Sequence, residues 1–284
     1  MYFLRQLNRF LHVYLSILRH LHLPLAFLTG KKDRPIFIGH RGASGYYPEN
    51  TILAFDKAVA LGADMLEFDV QQTKDGTLIV IHDPKVNRTT SGKGYIKNLT
   101  YEEIKALDAG SWFDPRFKGE RIPTLDAVLD RYLGKVRLLI ELKKPSLYPD
   151  IERQLAEKLR ERGADQLGDG QIIVQSFDRR SMQEFHRIFP AVPVGVLIKN
   201  RPAGISPREI RGIAQYASYL NPKVTLVNKR LIKRIHGCGM KTFAWTVRDK
   251  KTAGALLKMG MDGIATDYLD YLTKPAPIEK DRGR

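Results

Sequence analysis

Short apolar runs alternate with amphipathic helical segments along most of this chain, and this alternation restricts the fold more than any other feature. Several runs are uninterrupted, which is typical of parallel strands buried on both faces. Repeated strand–helix order over about 240 residues predicts an α/β fold, namely a (β/α)₈ barrel. The predicted strands are Ile36–Gly39, Met65–Val70, Arg137–Glu141, Ile172–Gln175, Val194–Ile198, Ser218–Leu220, Thr242–Thr246 and Gly263–Ala265. The predicted helices are Thr51–Leu61, Thr124–Tyr132, Ile151–Glu161, Arg180–Phe189, Pro207–Tyr216, Lys229–His236 and Lys250–Met259.

A doubly wound open sheet is the alternative architecture for this pattern. The G-x-G-x-x-G dinucleotide fingerprint is absent between Gly39 and Gly45, directly after the first predicted strand.

One segment departs from the alternation of strands and helices. Asp75-Gly76 predicts a hairpin turn before a strand at Thr77–Ile81, and a long insertion follows from Asp83 to about Pro123. In a barrel, such insertions lie at the C-terminal face, where active sites form.

Composition excludes several classes of protein. Hydrophobic residues make up 43% and charged residues 27%, which is the composition of a folded globular protein. The single cysteine, Cys238, excludes an intrachain disulfide and a cysteine-based zinc site. Lysine and arginine number 47 against 31 acidic residues, so the net charge is +16. This balance favours a polyanionic partner: nucleic acid, an anionic membrane or a phosphorylated substrate.

Residues 1–34 form a basic amphipathic segment that is separate from the predicted barrel domain at 35–273. Its polar residues recur every three to four positions, which predicts an N-terminal amphipathic helix ending near Pro24. The stretch Phe10–Leu18 is too short for a membrane span, which needs about 20 residues. A signal peptide is disfavoured because Arg19 interrupts the apolar run and no small-residue cleavage motif follows. We expect residues 1–24 to lie on a membrane surface; packing against the body or a second copy is the alternative. Residues 274–284 form a basic tail.

Three carboxylates lie at predicted strand positions. Glu67 and Asp69 are two residues apart, so they share one face of their strand, and Glu141 ends another strand. In a barrel that face is the interior, where carboxylates are costly unless they are paired or bind a metal. Three converging carboxylates suit Mg²⁺ or Ca²⁺. Pairing with nearby arginine and lysine is the alternative.

Two histidines follow strands, His40 after the first and His82 after the hairpin strand. With an ordinary pKa near 6.5, a histidine can donate or accept a proton at neutral pH, so the two suggest an acid–base pair. The other histidines fall on helical patterns and are interpreted as structural: His12, His20, His22, His186 and His236.

Further residues lie close to these groups in the sequence. Arg41 and Lys143 are cations that could hold a phosphoryl group together with a metal, or else pair with the carboxylates. Trp245, in the seventh predicted strand, is expected either on the wall of the site or in the barrel core. Asn50 precedes a predicted helix and is interpreted as its N-cap.

An ordered set of motifs extends over about residues 35–270. His40-Arg41-Gly42 alone would be weak, but the whole set at these spacings is highly specific. The motifs are His40-Arg41-Gly42, Pro48-Glu49-Asn50-Thr51, Ala54-Phe55, Gly62-Ala63-Asp64, Glu67-Phe68-Asp69-Val70, Thr73-Lys74-Asp75-Gly76, His82-Asp83, Arg88-Thr89-Thr90, Leu107-Asp108-Ala109-Gly110-Ser111-Trp112-Phe113, Ile122-Pro123-Thr124-Leu125, Glu141-Leu142-Lys143, Ser176-Phe177, Trp245-Thr246-Val247 and Asp262-Gly263-Ile264-Ala265-Thr266-Asp267. Together they strongly resemble the glycerophosphodiester phosphodiesterases.

This resemblance implies a TIM barrel with an insertion at about residues 83–123. It implies that one divalent metal ion, Mg²⁺ or Ca²⁺, binds to Glu67, Asp69 and Glu141. It also implies roles for five other residues: His40 and His82 as catalytic acid and base, Arg41 and Lys143 as phosphate contacts, and Trp245 as an aromatic of the site wall. The N-terminal amphipathic helix is a departure, because the family pattern does not require it.

The function that the resemblance implies is metal-dependent hydrolysis of small glycerophosphodiesters to sn-glycerol 3-phosphate and an alcohol such as choline or ethanolamine. We expect a cytoplasmic protein with peripheral membrane contact through residues 1–24. The alternatives are a lysophospholipase D that acts on membrane lysolipids and a non-catalytic barrel that binds phosphodiesters. A nucleic-acid partner is not expected, because the body has no basic cluster interleaved with aromatics.

Overall fold

Eight parallel strands form a nearly closed barrel in the computed structural model, which describes residues 34–168 and 170–272. The strands are β1 (Ile36–His40), β2 (Met65–Gln72), β4 (Arg137–Leu142), β5 (Ile172–Ser176), β6 (Val194–Ile198), β7 (Tyr219–Pro222), β8 (Phe243–Val247) and β9 (Gly263–Thr266), with β3 (Leu78–Val80) as an antiparallel hairpin strand on β2. Their order is β7-β6-β5-β4-β2-β1-β9-β8, and isolated parallel bridges join β7 to β8. Because the first strand pairs with the last, the predicted barrel is confirmed and the open-sheet alternative is wrong.

Eight helices of the described chain follow the strands or lie within the insertion. They are α1 (Ile52–Ala60), α2 (Tyr101–Lys105), α3 (Leu125–Tyr132), α4 (Ile151–Arg160), α5 (Arg179–Ile188), α6 (Pro207–Ile213), α7 (Lys229–His236) and α8 (Lys250–Met259). Several begin after a polar side chain that accepts a hydrogen bond from a free N–H of the first turn, as Thr124 does from Ala127. All predicted helices are present with small differences at their ends.

The N-cap of α1 differs from the prediction. Thr51, not Asn50, caps the helix: its Oγ1 accepts from the N–H of Ala54 at 3.2 Å. Asn50 lies one residue earlier in a left-handed conformation with φ 59°, which asparagine tolerates better than most residues. Its side chain points instead to Asp69, to which Nδ2 donates at 2.8 Å.

The alternation of side chains along β2 divides the core into two layers. Leu66, Phe68 and Val70 pack outward into the large cluster between the barrel and its helices. Met65 packs inward with residues from other strands. Glu67 and Asp69 have the same parity as Met65, so they face the barrel interior, as the period of two predicts.

The segment after β3 forms a small unit beside the barrel mouth. It contains α2, short 3₁₀ turns and a separate apolar cluster, whose buried members include Ile79, Ile96 and Ile104. The insertion thus begins beyond the C-terminal end of β2, where the sequence places it.

The predictions for the amphipathic helix within residues 1–34 and for the tail at 274–284 fall on residues outside the described part of the chain. Among the residues that the structure describes, no helix has the length and apolarity needed to cross a bilayer.

Candidate active site

The C-terminal ends of the strands surround a cavity of about 870 Å³. The predicted site residues come together here although they are spread over more than 200 residues of sequence. Those that line the cavity are His40, Arg41, Glu67, His82, Glu141, Lys143 and Trp245. Asp69 is buried next to Glu67 and Glu141.

Glu67, Asp69 and Glu141 form a buried carboxylate triad. One oxygen of each lies within 4.8 Å of an oxygen of the others. The register of the sheet explains the convergence, because Asp69 on β2 pairs directly with Glu141 on β4. Asp69 Oδ1 is fully buried and has no hydrogen-bond partner among the described residues. A buried oxygen of this kind is costly unless a ligand satisfies it.

Two cations lie against the triad. Lys143 Nζ is 2.6 Å from Glu141 Oε1 and 3.5 Å from Asp69 Oδ1. Arg41 Nε is 3.2 Å from Asp69 Oδ2, and the backbone N–H of Arg41 donates to Glu67 Oε2 at 2.9 Å. The pairing of the carboxylates with arginine and lysine, which the sequence left as an alternative to metal binding, is therefore present. It is incomplete, because two side-chain cations face three carboxylates.

This imbalance is visible in the acidities of the triad. Burial, together with the charges of Asp69 and Glu141, raises the pKa of Glu67 well above its ordinary value. Burial raises the pKa of Glu141 to about 7, with Lys143 opposing the rise. Burial also acts to raise the pKa of Asp69, but Arg41 and Lys143 outweigh it and the pKa is lowered. Two of the three carboxyl groups therefore resist ionisation when no further cation is present.

The donor set fits a divalent cation of the hard class. Mg²⁺ and Ca²⁺ prefer carboxylate oxygens, and the triad offers three of them from two neighbouring strands. Asp69 Oδ1 accepts no hydrogen bond, and the pKa values of Glu67 and Glu141 are raised, so the site has room for a further interaction with positive charge. Glu67, Asp69 and Glu141 are thus the residues that could hold such an ion.

Each cavity histidine is oriented by a carboxylate. His40 Nδ1 lies 2.7 Å from Asp267 Oδ1, and His82 Nδ1 lies 2.6 Å from Asp83 Oδ1. An ionised carboxylate can only accept a hydrogen bond, so Nδ1 carries the proton in both rings. Nε2 of each ring is therefore the nitrogen left to exchange a proton.

The surroundings of the two histidines differ. Burial lowers the pKa of His82, and nearby Asp69 opposes this change. Asp267 receives additional hydrogen bonds from Ser44 Oγ at 3.1 Å and from Arg248 Nε at 2.7 Å. Burial alone would raise the pKa of Asp267, but hydrogen bonds from His40 and Arg248 lower it. Asp267 therefore remains an acceptor for His40.

Ion pairs connect the His82 side of the site to Arg41. Arg88 Nε donates to Asp83 Oδ2 at 2.7 Å, and Arg88 Nη2 donates to Glu49 Oε1 at 2.8 Å. Glu49 Oε1 also accepts from Arg41 Nη1 at 2.9 Å. The hydrogen bond from Arg88, opposed by partial burial and assisted by His82, lowers the pKa of Asp83 to about 2.

Trp245 lies on the cavity wall and also packs on the inner barrel cluster. Its Nε1 donates to the carbonyl oxygen of Asn221 at 2.8 Å. Its ring meets Phe177 edge to face, with 5.4 Å between the ring centres. The indole is thereby held in one orientation.

Sequence reasoning gave no site role to several residues that support the site. These are Glu49, Asn50, Asp83, Arg88 and Asp267. Each of these residues belongs to or lies near a strand end or a matched motif. That position is the only feature of the sequence that could have marked them as site residues. Nothing in the linear sequence pairs Asp267 with His40, because 227 positions separate them.

The glycerophosphoryl diester phosphodiesterase family matches this chain over residues 40–271. A Bacillus subtilis protein, YhdW, is 48% identical over 248 residues, which are 85% of this chain and 98% of YhdW. A glycerophosphodiester phosphodiesterase of B. subtilis is 38% identical over 255 residues, covering 85% of this chain and 86% of the relative. An Oleispira antarctica phosphodiesterase, solved in complex with the product sn-glycerol-3-phosphate, has a TM-score of 0.74 and 28% identity, covering 82% of this chain and 93% of that chain.

A TIM barrel with a buried acidic triad at the inner end of its cavity, and with relatives of this kind, defines a phosphodiesterase. The chain belongs to the glycerophosphoryl diester phosphodiesterase family, as the motif resemblance predicted. It is therefore an enzyme of the phosphoric diester hydrolase class.

Proposed function

We propose that this enzyme hydrolyses glycerophosphodiesters to sn-glycerol 3-phosphate and an alcohol. One observation carries the proposal: two histidines, each held by a carboxylate, line the same cavity as the buried carboxylate triad. The product bound to the Oleispira relative supports the same reaction for this chain.

Glu67, Asp69 and Glu141 are proposed to hold one divalent ion, Mg²⁺ or Ca²⁺. When bound, such an ion neutralises charge on the phosphoryl oxygens and orients the diester. The triad that would hold the ion lies against two cations of the protein: Lys143 Nζ is 2.6 Å from Glu141 Oε1, and Arg41 Nε is 3.2 Å from Asp69 Oδ2. Water is largely excluded there, because the three carboxylates are nearly fully buried.

His40 and His82 are proposed as the acid–base pair. The neutral histidine takes the proton from the attacking hydroxyl at Nε2 as the new P–O bond forms. The protonated histidine gives its Nε2 proton to the departing alkoxide as the old P–O bond breaks. The attacking hydroxyl belongs to water, or to the substrate itself. In the second case a cyclic phosphate forms first, and water then opens it to glycerol 3-phosphate with the two histidines exchanging the roles of acid and base. Asp83 and Asp267 stabilise whichever ring is cationic.

Arg41 and Lys143 are proposed to contact the phosphoryl group, and Trp245 to shape the wall next to it. Both cations are already beside the triad, so a phosphate that approaches the inner end of the cavity meets them together. Charge-assisted hydrogen bonds of this type are about twice as strong as neutral ones.

A phosphorus NMR time course tests the proposal. Purified enzyme is mixed with glycerophosphocholine and lysophosphatidylcholine in the presence of Mg²⁺ or Ca²⁺, and a parallel sample contains chelator. We expect a growing glycerol 3-phosphate signal that chelator abolishes. His82→Ala should remove it and His186→Ala, a matched substitution on the outer helix α5, should not.

Other outcomes of that experiment contradict the proposal. Conversion of the lysolipid to lysophosphatidate or its cyclic form, with the soluble diester unchanged, would identify a lysophospholipase D. Near wild-type kcat in either His40→Ala or His82→Ala would disprove the acid–base mechanism. Binding of the diester without turnover would indicate a non-catalytic barrel.

We further propose that the chain comprises the basic segment 1–34, the catalytic domain 35–273 and a basic tail 274–284, and that the enzyme is cytoplasmic with residues 1–24 on the membrane surface. Vesicle flotation of the full chain tests this. We expect binding to anionic vesicles but not to neutral ones, and loss of binding when Arg5, Arg9 and Arg19 are changed together to glutamate. Unchanged flotation of that variant would contradict the proposal.

A further inference from the structure

One side of the cavity is lined by the first residue after each of four neighbouring strands. Lys143, Phe177, Lys199 and Lys223 directly follow β4, β5, β6 and β7, which are adjacent in the barrel. All four line the cavity. The barrel thus places two further lysines and an aromatic ring in a row that starts at the carboxylate triad.

The contacts along this row are specific. Lys143 Nζ lies 5.6 Å from the centre of the Phe177 ring, and Lys199 Nζ lies 4.8 Å from the same centre. The backbone N–H of Lys223 donates to the carbonyl oxygen of Ile198 at 2.9 Å. The backbone of Lys223 therefore lies next to the residue that precedes Lys199. We name Lys199 and Lys223, with the Phe177 ring between them and the triad, the lysine wall.

The lysines of this wall differ from Lys143 in their pairing. Lys143 is neutralised by Glu141. In the part of the chain that the structure describes, no carboxylate lies within ion-pair distance of Lys199 or Lys223. Asp178 also lines the cavity, but it accepts hydrogen bonds from the N–H groups of Arg180 and Ser181 at the start of α5. The wall therefore presents two ammonium groups that have no ion-pair contact with a described carboxylate.

A wall of this kind disfavours a diester whose leaving alcohol carries a positive charge. An aromatic ring in a cavity can attract a quaternary ammonium group. Here ammonium groups of the protein already lie close to Phe177, and an ammonium ligand would meet like charges. The two lysines instead attract a ligand group of the opposite charge to their side of the cavity.

We propose that the alcohol released by this enzyme carries a negative charge of its own, and that Lys199 and Lys223 bind it. The substrates would be glycerophosphodiesters whose alcohol bears a further phosphate, of which glycerol phosphate is the simplest. The scissile phosphate lies at the triad and the second anion lies across Phe177 at the wall. The cavity, at about 870 Å³, is in the upper part of the range for small-molecule sites and has room for both. This inference rests on the proposed diesterase activity.

The test compares two matched diesters: glycerophosphoglycerol and the same molecule with a phosphate monoester on its leaving glycerol. We expect wild-type kcat/KM to be higher for the phosphorylated diester, and this preference to shrink as salt rises. Lys199→Gln and Lys223→Gln should each reduce the preference about three- to fivefold, mainly through KM, and the double variant should reduce it further. Lys199→Arg should retain the preference.

Lys233→Gln provides the control, because it removes the same charge from the exposed face of α7, outside the cavity. It should leave both substrates unaffected. Equal or better hydrolysis of glycerophosphoglycerol or glycerophosphocholine by the wild type would overturn the inference while leaving the diesterase in place. Equal losses on both diesters in the lysine variants would also overturn it, since the lysines would then act on the scissile phosphate. No turnover of any diester would overturn the proposed function and this inference together.

Discussion

The acidic triad makes the metal-free enzyme less stable as the pH rises. The pKa of Glu141 is about 7 in the folded protein against an ordinary value of 4.5, so the folded state holds this proton more tightly than the unfolded state. Stability from this group is present below pH 4.5 and is lost as the pH rises through 7. Glu67 changes stability in the same direction, whereas Asp69, with its lowered pKa, acts only at lower pH.

The size of the effect follows from linkage. A rise in pKa from 4.5 to about 7 corresponds to about 3 kcal/mol of unfolding free energy in all, of which about 2.5 kcal/mol is lost between pH 5 and pH 8. For a domain of this size, about 2.5 kcal/mol lowers Tm by about 5–10 °C. A divalent ion that binds the ionised triad should restore much of this loss at pH 8 and little of it at pH 5.

The loss of stability and its reversal by metal are measured as Tm in thermal unfolding from pH 5 to pH 8, in chelator and in excess Mg²⁺ or Ca²⁺. Glu141→Gln should reduce the loss seen in chelator and weaken the stabilisation by metal, while Glu157→Gln on the exposed face of α4 should behave as wild type. A chelated wild type whose Tm is unchanged or rises from pH 5 to pH 8 would refute the reasoning. So would a Glu141→Gln variant that loses as much stability as the wild type.

Other expectations concern the histidines and the core. His40→Ala and His82→Ala should each lower kcat by about 10²–10⁴, measured at saturating diester with circular dichroism confirming the fold; a smaller loss in either variant would contradict the role of that histidine. Asp267→Asn should lower kcat with KM little changed, because the His40 ring loses its fixed tautomer; equal kcat for variant and wild type would contradict this. Ring titration by NMR should give His82 in the metal-free enzyme a midpoint below 6.5, because burial lowers its pKa, and a midpoint above 6.5 would be inconsistent with that burial. Phe55→Ala, in the fully buried layer between barrel and helices, should cost about 3–5 kcal/mol in urea unfolding; a loss under about 1 kcal/mol would show that the site is not closely packed.

Hydrophobic periodicity was sufficient to predict the barrel because its strands are buried on both faces. Val194–Ile198, Lys229–His236 and Lys250–Met259 have the bounds that the pattern predicts. The prediction ended β2 at Val70, two residues early. Gln71 and Gln72 are polar, but they continue the strand because they pair with Ile79 and Leu78 of the hairpin.

The inward direction of Glu67 and Asp69 also follows from local sequence, because the period of a strand is two. Their meeting with Glu141 depends on the pairing of β2 with β4, which local sequence does not specify. Asn50 illustrates the same limit. Its type and position suit an N-cap, but the fold brings Asp69 within reach of its amide and leaves the cap to Thr51.

Strand and helix patterns, the inward-facing acids and the two strand-end histidines were thus readable from short stretches of chain, because each depends on neighbours within a few residues. The partners of those groups could not be predicted from short stretches of chain. His40 with Asp267, the Arg41–Glu49–Arg88 connection and the row from Lys143 to Lys223 all depend on which strand ends become adjacent when the barrel closes. Closure joins residues far apart in sequence, so tertiary structure alone decided which side chains share a proton, a charge or a ligand.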